Sequence, residues 1–333
     1  MTASASLLEI RGLTVEYRRG RGQPPLTALR DACLTVAAGE TVALAGESGS
    51  GKSTLGNAVL GLVPVASGTV AFDGEDITRA SPRRRRALTQ DIQAVFQDPY
   101  GSLNPARAIG RTLAEPLLAH QRLGRAAIAA RVTAALERVG LGADAAARYP
   151  DQFSGGQRQR IVIARALMLS PRLIVCDEPL SALDLSVQAQ VVNLLRDIQR
   201  DLGVSYLFTT HDLSVIPHIA HRLVVLYRGR VVEVGPAAQV CANPGHPYTQ
   251  ELVSAAPVPD PAQQRARRHT RKPAGTTQAA PRSGCIFAPR CPHAITDCTV
   301  GPPTVFTSSG GGSVACSRYL ELTGHLTDPL GDR

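Results

Sequence analysis

Tryptophan is absent, methionine occurs twice, and aromatic residues make up 4% of the 333 positions, so a core built on aromatic stacking is excluded. The interior must rest on Ala, Val, Leu and Ile instead, and an apolar content of 44% is ordinary for a globular chain. No apolar run approaches the ~18 residues of a membrane-spanning helix. The opening MTASASLLEIRG has no basic patch followed by an apolar stretch, so no secretory leader is expected. Such a chain is expected in the cytosol, where structural disulfides are uncommon. Acidic residues are in the minority, 27 against 36 Lys and Arg, for a net charge of +9. That balance suits nucleic acid, the anionic face of a membrane, or nothing beyond an arginine-rich composition, and charge alone does not choose.

The stretch that organises the chain is Gly46-Glu47-Ser48-Gly49-Ser50-Gly51-Lys52-Ser53-Thr54. It fits G-x-x-x-x-G-K-[ST], with a buried-strand pattern before it (Thr41–Ala45) and a helical pattern after it. Glycines let backbone N–H groups turn around phosphate oxygens, the helix start adds partial positive charge, and Lys52 adds a full one. Ser53 is placed to put its hydroxyl on a Mg²⁺ ion bridging the outer phosphates.

Around this loop the pattern predicts strands over 7–18, 32–36, 41–45 and 68–72, then a turn at Asp73-Gly74. The run Arg83–Arg86 predicts an exposed helix, read either as a solvated face or as a lipid or nucleic-acid patch. Helical spacing over 109–118 and 126–139 predicts a helical insertion within an α/β core. The core resumes with the strand Leu173–Cys176 and a helix striped by Val187, Val191, Leu194, Leu195, Ile198 and Leu202. A strand at 204–210, a short helix, and a hairpin over 222–234 turning at Arg228-Gly229-Arg230 complete it. Alternating strands and helices imply a largely parallel sheet. Residues 257–281, rich in Pro, Ala, Gln and Arg, read as an extended linker with the basic cluster Arg265–Lys272 exposed.

Asp177-Glu178 ends the 173–176 strand. Asp177 there is placed to hold Mg²⁺ through its water shell, and Glu178 to accept hydrogen bonds from an attacking water as general base. Ser154-Gly155-Gly156-Gln157 opens another helix and makes a second anion site. One nucleotide does not need two such sites from one chain, so this one is assigned to the nucleotide of a neighbouring subunit.

With these motifs in place, residues 7–235 resemble the ATP-binding cassette (ABC) family of transport ATPases. The resemblance implies a P-loop NTPase (RecA-like) α/β core with an antiparallel β subdomain and an inserted helical subdomain (about 98–165). It makes Gly46–Thr54 the Walker A loop, Leu173–Asp177 the Walker B strand and Glu178 the catalytic carboxylate. Phe153–Gln157 becomes the family signature, with Phe153 where Leu is commoner. Gln97 becomes the glutamine that bonds Mg²⁺ and senses the γ-phosphate, Ser181–Asp184 the D-loop, His211 the switch histidine and Tyr17 the adenine platform. It further implies head-to-tail pairing of two cassettes around two ATP molecules, driving a membrane partner.

The runs Val95–Pro105, Leu183–Gln190 and His246-Pro247-Tyr248-Thr249 are similar to the oligopeptide/dipeptide (and nickel) importer branch. That branch implies a second ATPase subunit of different sequence, two integral membrane permease subunits and an extracytoplasmic solute-binding protein. It places the chain on the cytoplasmic side of the membrane as a peripheral subunit, with no nucleic acid among its partners. The competing reading is a soluble ATPase of the same fold acting on nucleic acid. Relatives of that kind usually fuse two cassettes or insert long coiled coils.

An extension over 236–333 carries a four-Cys module at 284–318. Cys285, Cys291, Cys298 and Cys316 are spaced more widely than the tight C-x₂-C of zinc ribbons. By spacing they admit an iron–sulfur cluster, zinc (with His293 replacing one thiolate), reduced thiols or two disulfides. The similarity of Gly284–Cys316 to a family tail that holds a [4Fe–4S] cluster in some members implies the cluster.

Overall fold

The computed structural model describes residues 6–20, 22–255, 283–308 and 311–323, so the 257–281 linker and its basic cluster lie outside the described residues. A long antiparallel pair, β1 (Ser6–Tyr17) and β2 (Leu26–Ala37), leads into β3 (Thr41–Ala45), the phosphate loop and α1 (Lys52–Leu60). Next come β4 (Ser67–Phe72), β5 (Glu75–Asp76), α2 (Pro82–Leu88) and β6 (Ile92–Val95). Three helices follow, α3 (Ile109–His120), α4 (Arg125–Arg138) and α5 (Gly155–Leu167), and then β7 (Leu173–Asp177), α6 (Leu185–Leu202) and β8 (Ser205–Thr210). The chain continues through α7 (Ile216–Ile219), β9 (Arg222–Tyr227), β10 (Arg230–Pro236), α8 (Ala237–Ala242) and α9 (Pro247–Ala255), and later β11 (Val305–Thr307) and β12 (Ser313–Ala315). Among the described residues no helix is long and apolar enough to cross a membrane.

One sheet is antiparallel, in the order β2-β1-β4-β5, and the other runs β11-β12-β10-β9-β3-β8-β7-β6. Within the second, β9, β3, β8, β7 and β6 are mutually parallel. Their central members are buried on both faces, by the helical region on one side and by α1 with the antiparallel sheet on the other. Thus β3 and β8 are buried at every position. Buried Val42, Leu44, Leu55 and Val59 join the antiparallel sheet to the parallel one, while Ile109, Leu113, Leu136 and Ile163 gather the helical region on the other side.

Three details were not expected from the sequence. β2 starts at Leu26 rather than near Ala32, because it pairs with β1 along nearly its whole length. β6 is a strand of four residues whose pattern is too short to read; its pairing with β7 decides it. β11 and β12 add to the main sheet through β10, with Glu233 opposite Val314 and Val234 opposite Ser313. There Gly312 approaches so closely that a Cβ would lie 1.9 Å from the Val234 carbonyl oxygen. The Arg83–Arg86 run does fall on a helix. Arg84 is bound to Glu75, Arg85 donates to the Val59 carbonyl at 2.9 Å and Arg86 to the Ala119 carbonyl at 3.4 Å, so three of the four are already engaged within the chain.

Candidate active site

Parallel strands all point their carboxyl ends the same way, and register aligns those ends: Ala45 lies opposite Thr210, Asp177 opposite Thr209, and Val95 opposite Cys176. The residues just past the strand ends therefore share one edge, where ligands of open α/β sheets bind. The phosphate loop follows β3, Gln97 follows β6, Glu178 follows β7 and His211 follows β8.

The loop between β3 and α1 needs its glycines. Gly51 caps α1 at φ 106°, and a Cβ there would stand 2.8 Å from the Ala28 carbonyl oxygen. A Cβ on Gly46, at φ 151°, would stand 2.2 Å from the Leu226 carbonyl oxygen and 2.7 Å from Ser50 Oγ. From behind, the β9–β10 turn braces the loop, with Gly229 N–H donating to the Ser50 carbonyl at 2.9 Å. That turn has Arg228 and Gly229 both at positive φ, as a type I′ hairpin turn requires.

Lys52 is 4% exposed, and its Nζ donates to the carbonyls of Gly46 (2.8 Å) and Glu47 (3.1 Å) and lies 3.8 Å from Glu178 Oε1. Burial lowers its pKa, opposed by the pull of Glu178 and Asp177. Ser53 Oγ donates to Asp177 Oδ1 at 2.9 Å. Thr209 Oγ1 donates to that same oxygen at 2.8 Å and accepts from the Glu178 N–H at 2.9 Å. Glu178 itself sits at φ 45°, a strained conformation for a side chain of this kind and one found disproportionately at functional sites. Its Oε2 lies 3.1 Å from His211 Nδ1. Tyr17 Oη lies 3.4 Å from Thr54 Oγ1, which sets the ring beside the first turn of α1. Gln97 and Ser48 are exposed on the same edge.

The structure thus gathers Lys52, Ser53, Asp177, Glu178 and His211 into one bonded constellation. It does not bring Ser154–Gln157 to them. That segment forms a capping box at the start of α5, with Ser154 Oγ accepting from the Gln157 N–H and Gln157 Oε1 accepting from the Ser154 N–H at 3.0 Å. Its glycines face Tyr100, Leu183 and Val187; a Cβ on Gly156 would lie 2.4 Å from Val187 Cγ1. Asp184 caps α6, accepting from the Val187 N–H at 3.0 Å, and its carboxyl pKa is held low by the Ser186 hydroxyl. Sequence reasoning missed Thr209. Its only signal was position, two residues before His211 at a strand end.

The residues fit a nucleotide with its Mg²⁺. Ser50 Oγ is buried without a partner inside the loop's curve, Lys52 has only carbonyls and a distant carboxylate, and Ser53 and Asp177 already share a hydrogen bond. In the extension, Cys285, Cys291, Cys298 and Cys316 line one small cavity together with His246, Phe287, His293 and Arg318. All four sulfurs are free of disulfides. Burial raises the thiol pKa of Cys285, Cys291 and Cys316, the last to about 12. Among the described residues no three Cys, His, Asp or Glu side chains are gathered as ligands of a metal ion.

Residues 29–181 match the family described as ABC transporter, and residues 232–298 match the family described as oligopeptide/dipeptide transporter, C-terminal region. Over 325 residues the chain is 46% identical to the oligopeptide transport ATP-binding protein OppF of Escherichia coli (strain K12), covering 95% of this chain and 97% of that protein. It is 53% identical over 230 residues to the glutathione import ATP-binding protein GsiA of the same organism, covering 69% of this chain and 37% of that longer one. Among solved structures it resembles a dimeric, post-hydrolysis state of the ATP-binding cassette MJ0796 bound to ADP and Pi, with a TM-score of 0.63, 28% identity, and 69% of this chain and 98% of that one covered. The chain belongs to the ABC transporter family of ATPases, in the group that carries the oligopeptide/dipeptide transporter C-terminal region.

Proposed function

We propose that the chain is the ATP-hydrolysing subunit of an importer for oligopeptides, dipeptides or a related small solute, peripheral on the cytoplasmic face of the membrane. The observation that carries this is the bonded set Lys52–Glu178–His211 and Ser53–Asp177–Thr209 at one sheet edge, in a chain whose extension matches the peptide-transporter region.

Lys52 leaves the Gly46 and Glu47 carbonyls to meet the outer phosphates. Ser53 Oγ would hold Mg²⁺, with Asp177 acting through the ion's water shell and Gln97, past the end of β6, joining them. Mg²⁺ held there would supply neutralisation of the phosphate charge. Glu178 accepts a hydrogen bond from the attacking water, and His211 fixes the carboxylate that does so. Tyr17 stacks on the base. Ser154, Gly155, Gly156 and Gln157, held away from this set, serve the nucleotide of a second cassette across a dimer seam, and Asp184 lies at that seam. Closing two cassettes excludes water, so donors aimed at the γ-phosphate act in a low dielectric.

Phe96 and Tyr100, 39% and 54% exposed, flank Gln97 and present apolar surface for a permease subunit. Four thiols line one cavity in the extension, and the likeness of that segment to a cluster-bearing tail is what supports a [4Fe–4S] cluster there. The importer reading is tested by ATP-driven uptake of labelled peptide into vesicles carrying this chain with its co-expressed membrane subunits. Lys52→Ala should abolish both nucleotide binding and uptake; uptake that persists in that variant overturns the reading.

A further inference from the structure

The phosphate loop is gripped by residues that lie more than two hundred positions away in sequence. Tyr248, fully buried in α9, accepts a hydrogen bond on its hydroxyl from the Glu47 N–H at 2.8 Å. The Arg290 guanidinium forks onto the Glu47 carboxylate at 3.1 and 2.8 Å and also donates to Glu251 Oε1 at 2.6 Å. Behind them Tyr227, Tyr248 and Phe287 form a packed aromatic trio, with ring centroids 4.5, 5.2 and 5.5 Å apart. Both Tyr248 and Arg290 belong to the C-terminal extension, in its His246-Pro247-Tyr248 and Pro289-Arg290-Cys291 segments.

Residue 47 is therefore held at three points: N–H by Tyr248, carbonyl by Lys52, and carboxylate by Arg290. When Lys52 turns toward phosphate it lets go of that carbonyl, which keeps the Ser50 N–H at 3.1 Å, and the holds on residue 47 from outside the loop are then the two from the extension. The fork does a second thing. Glu47 is 44% exposed beside a pocket meant for a polyanion, and the guanidinium, shared with Glu251, offsets part of that negative charge.

We propose that Tyr248 and Arg290 are positioning residues for nucleotide binding: the extension holds the phosphate loop in its binding shape, and masks its one carboxylate, through Glu47. This rests on the nucleotide reading of the loop.

MgATP titration of the full chain, with melting and steady-state ATPase measured alongside, tests it. Tyr248→Phe removes one oxygen and keeps the aromatic packing; Kd for MgATP should rise about 3–10-fold with little change in melting temperature. Arg290→Ala should raise Kd about 5–30-fold, and KM for ATP with it, while kcat at saturating ATP changes about 2-fold or less. Arg290→Lys should recover part of the loss. Adding Glu47→Gln to Arg290→Ala should cause no further loss, because the arginine acts through that carboxylate. Should the wild-type chain fail to bind MgATP, the nucleotide reading falls, and the inference with it. If wild type binds and Tyr248→Phe and Arg290→Ala bind equally well, or if the Arg290 and Glu47 losses simply add, the inference alone is overturned.

Discussion

Replacing Thr209 by Val changes one hydroxyl for a methyl at a position with no solvent exposure. The hydroxyl makes two hydrogen bonds at once, to Asp177 Oδ1 at 2.8 Å and from the Glu178 N–H at 2.9 Å. A hydrogen bond to a charged carboxylate contributes about 1.5–3 kcal/mol, and a buried donor left unpaired costs about 1–3 kcal/mol. Asp177 keeps its bond from Ser53, so the lower end applies to the first term. Together they destabilise by about 3 kcal/mol, a fall in melting temperature of about 6–12 °C for a domain of this size. Two effects on function follow. Asp177 loses one of the two donors that aim it, so the Mg²⁺ concentration for half-maximal ATPase should rise about 5-fold, equivalent to about 1 kcal/mol. Glu178, held at φ 45° by the lost bond, should relax away from His211, lowering turnover. Scanning fluorimetry and a Mg²⁺ titration at fixed ATP measure both, and Thr209→Ser should restore both. A Thr209→Val protein that melts within about 2 °C of wild type and shows an unchanged Mg²⁺ requirement would refute the reasoning.

Glu178→Gln should lower ATP turnover by ~10²-fold or more while leaving equilibrium ATP binding intact, since only the base is lost; near-normal turnover would remove Glu178 from that role. Cys291→Ser should abolish broad absorption near ~400 nm and the bound iron of an anaerobically purified sample. A colourless, iron-free wild-type sample would instead sink the cluster.

Much of the site is legible in the sequence because its chemistry is local. Gly46–Thr54 and Asp177-Glu178 are each a strand end plus a turn, and short-range pattern marks both. His211 is legible only through its place after β8 and the family resemblance. Thr209 is invisible because threonine is at home in a strand for reasons of shape alone. Its task is set by the register that puts it opposite Asp177. Arg290 is hidden more deeply. Nothing near it in the chain says that it will meet Glu47, and that contact follows from Tyr227, Tyr248 and Phe287 packing together. Likewise β11 and β12 are three residues each, below the length at which alternation can be read.

The joining of β12 to β10 sets a boundary on how this protein can be divided. A fragment cut after α9 would keep every nucleotide motif, yet would strip the ladder from Glu233 and Val234 and lay bare an unpaired strand margin. Such a margin is a template for other chains, and the fragment should stick to itself. The apparent appendage is the hem of the central sheet, and the smallest well-behaved version of this ATPase retains it through Ala315.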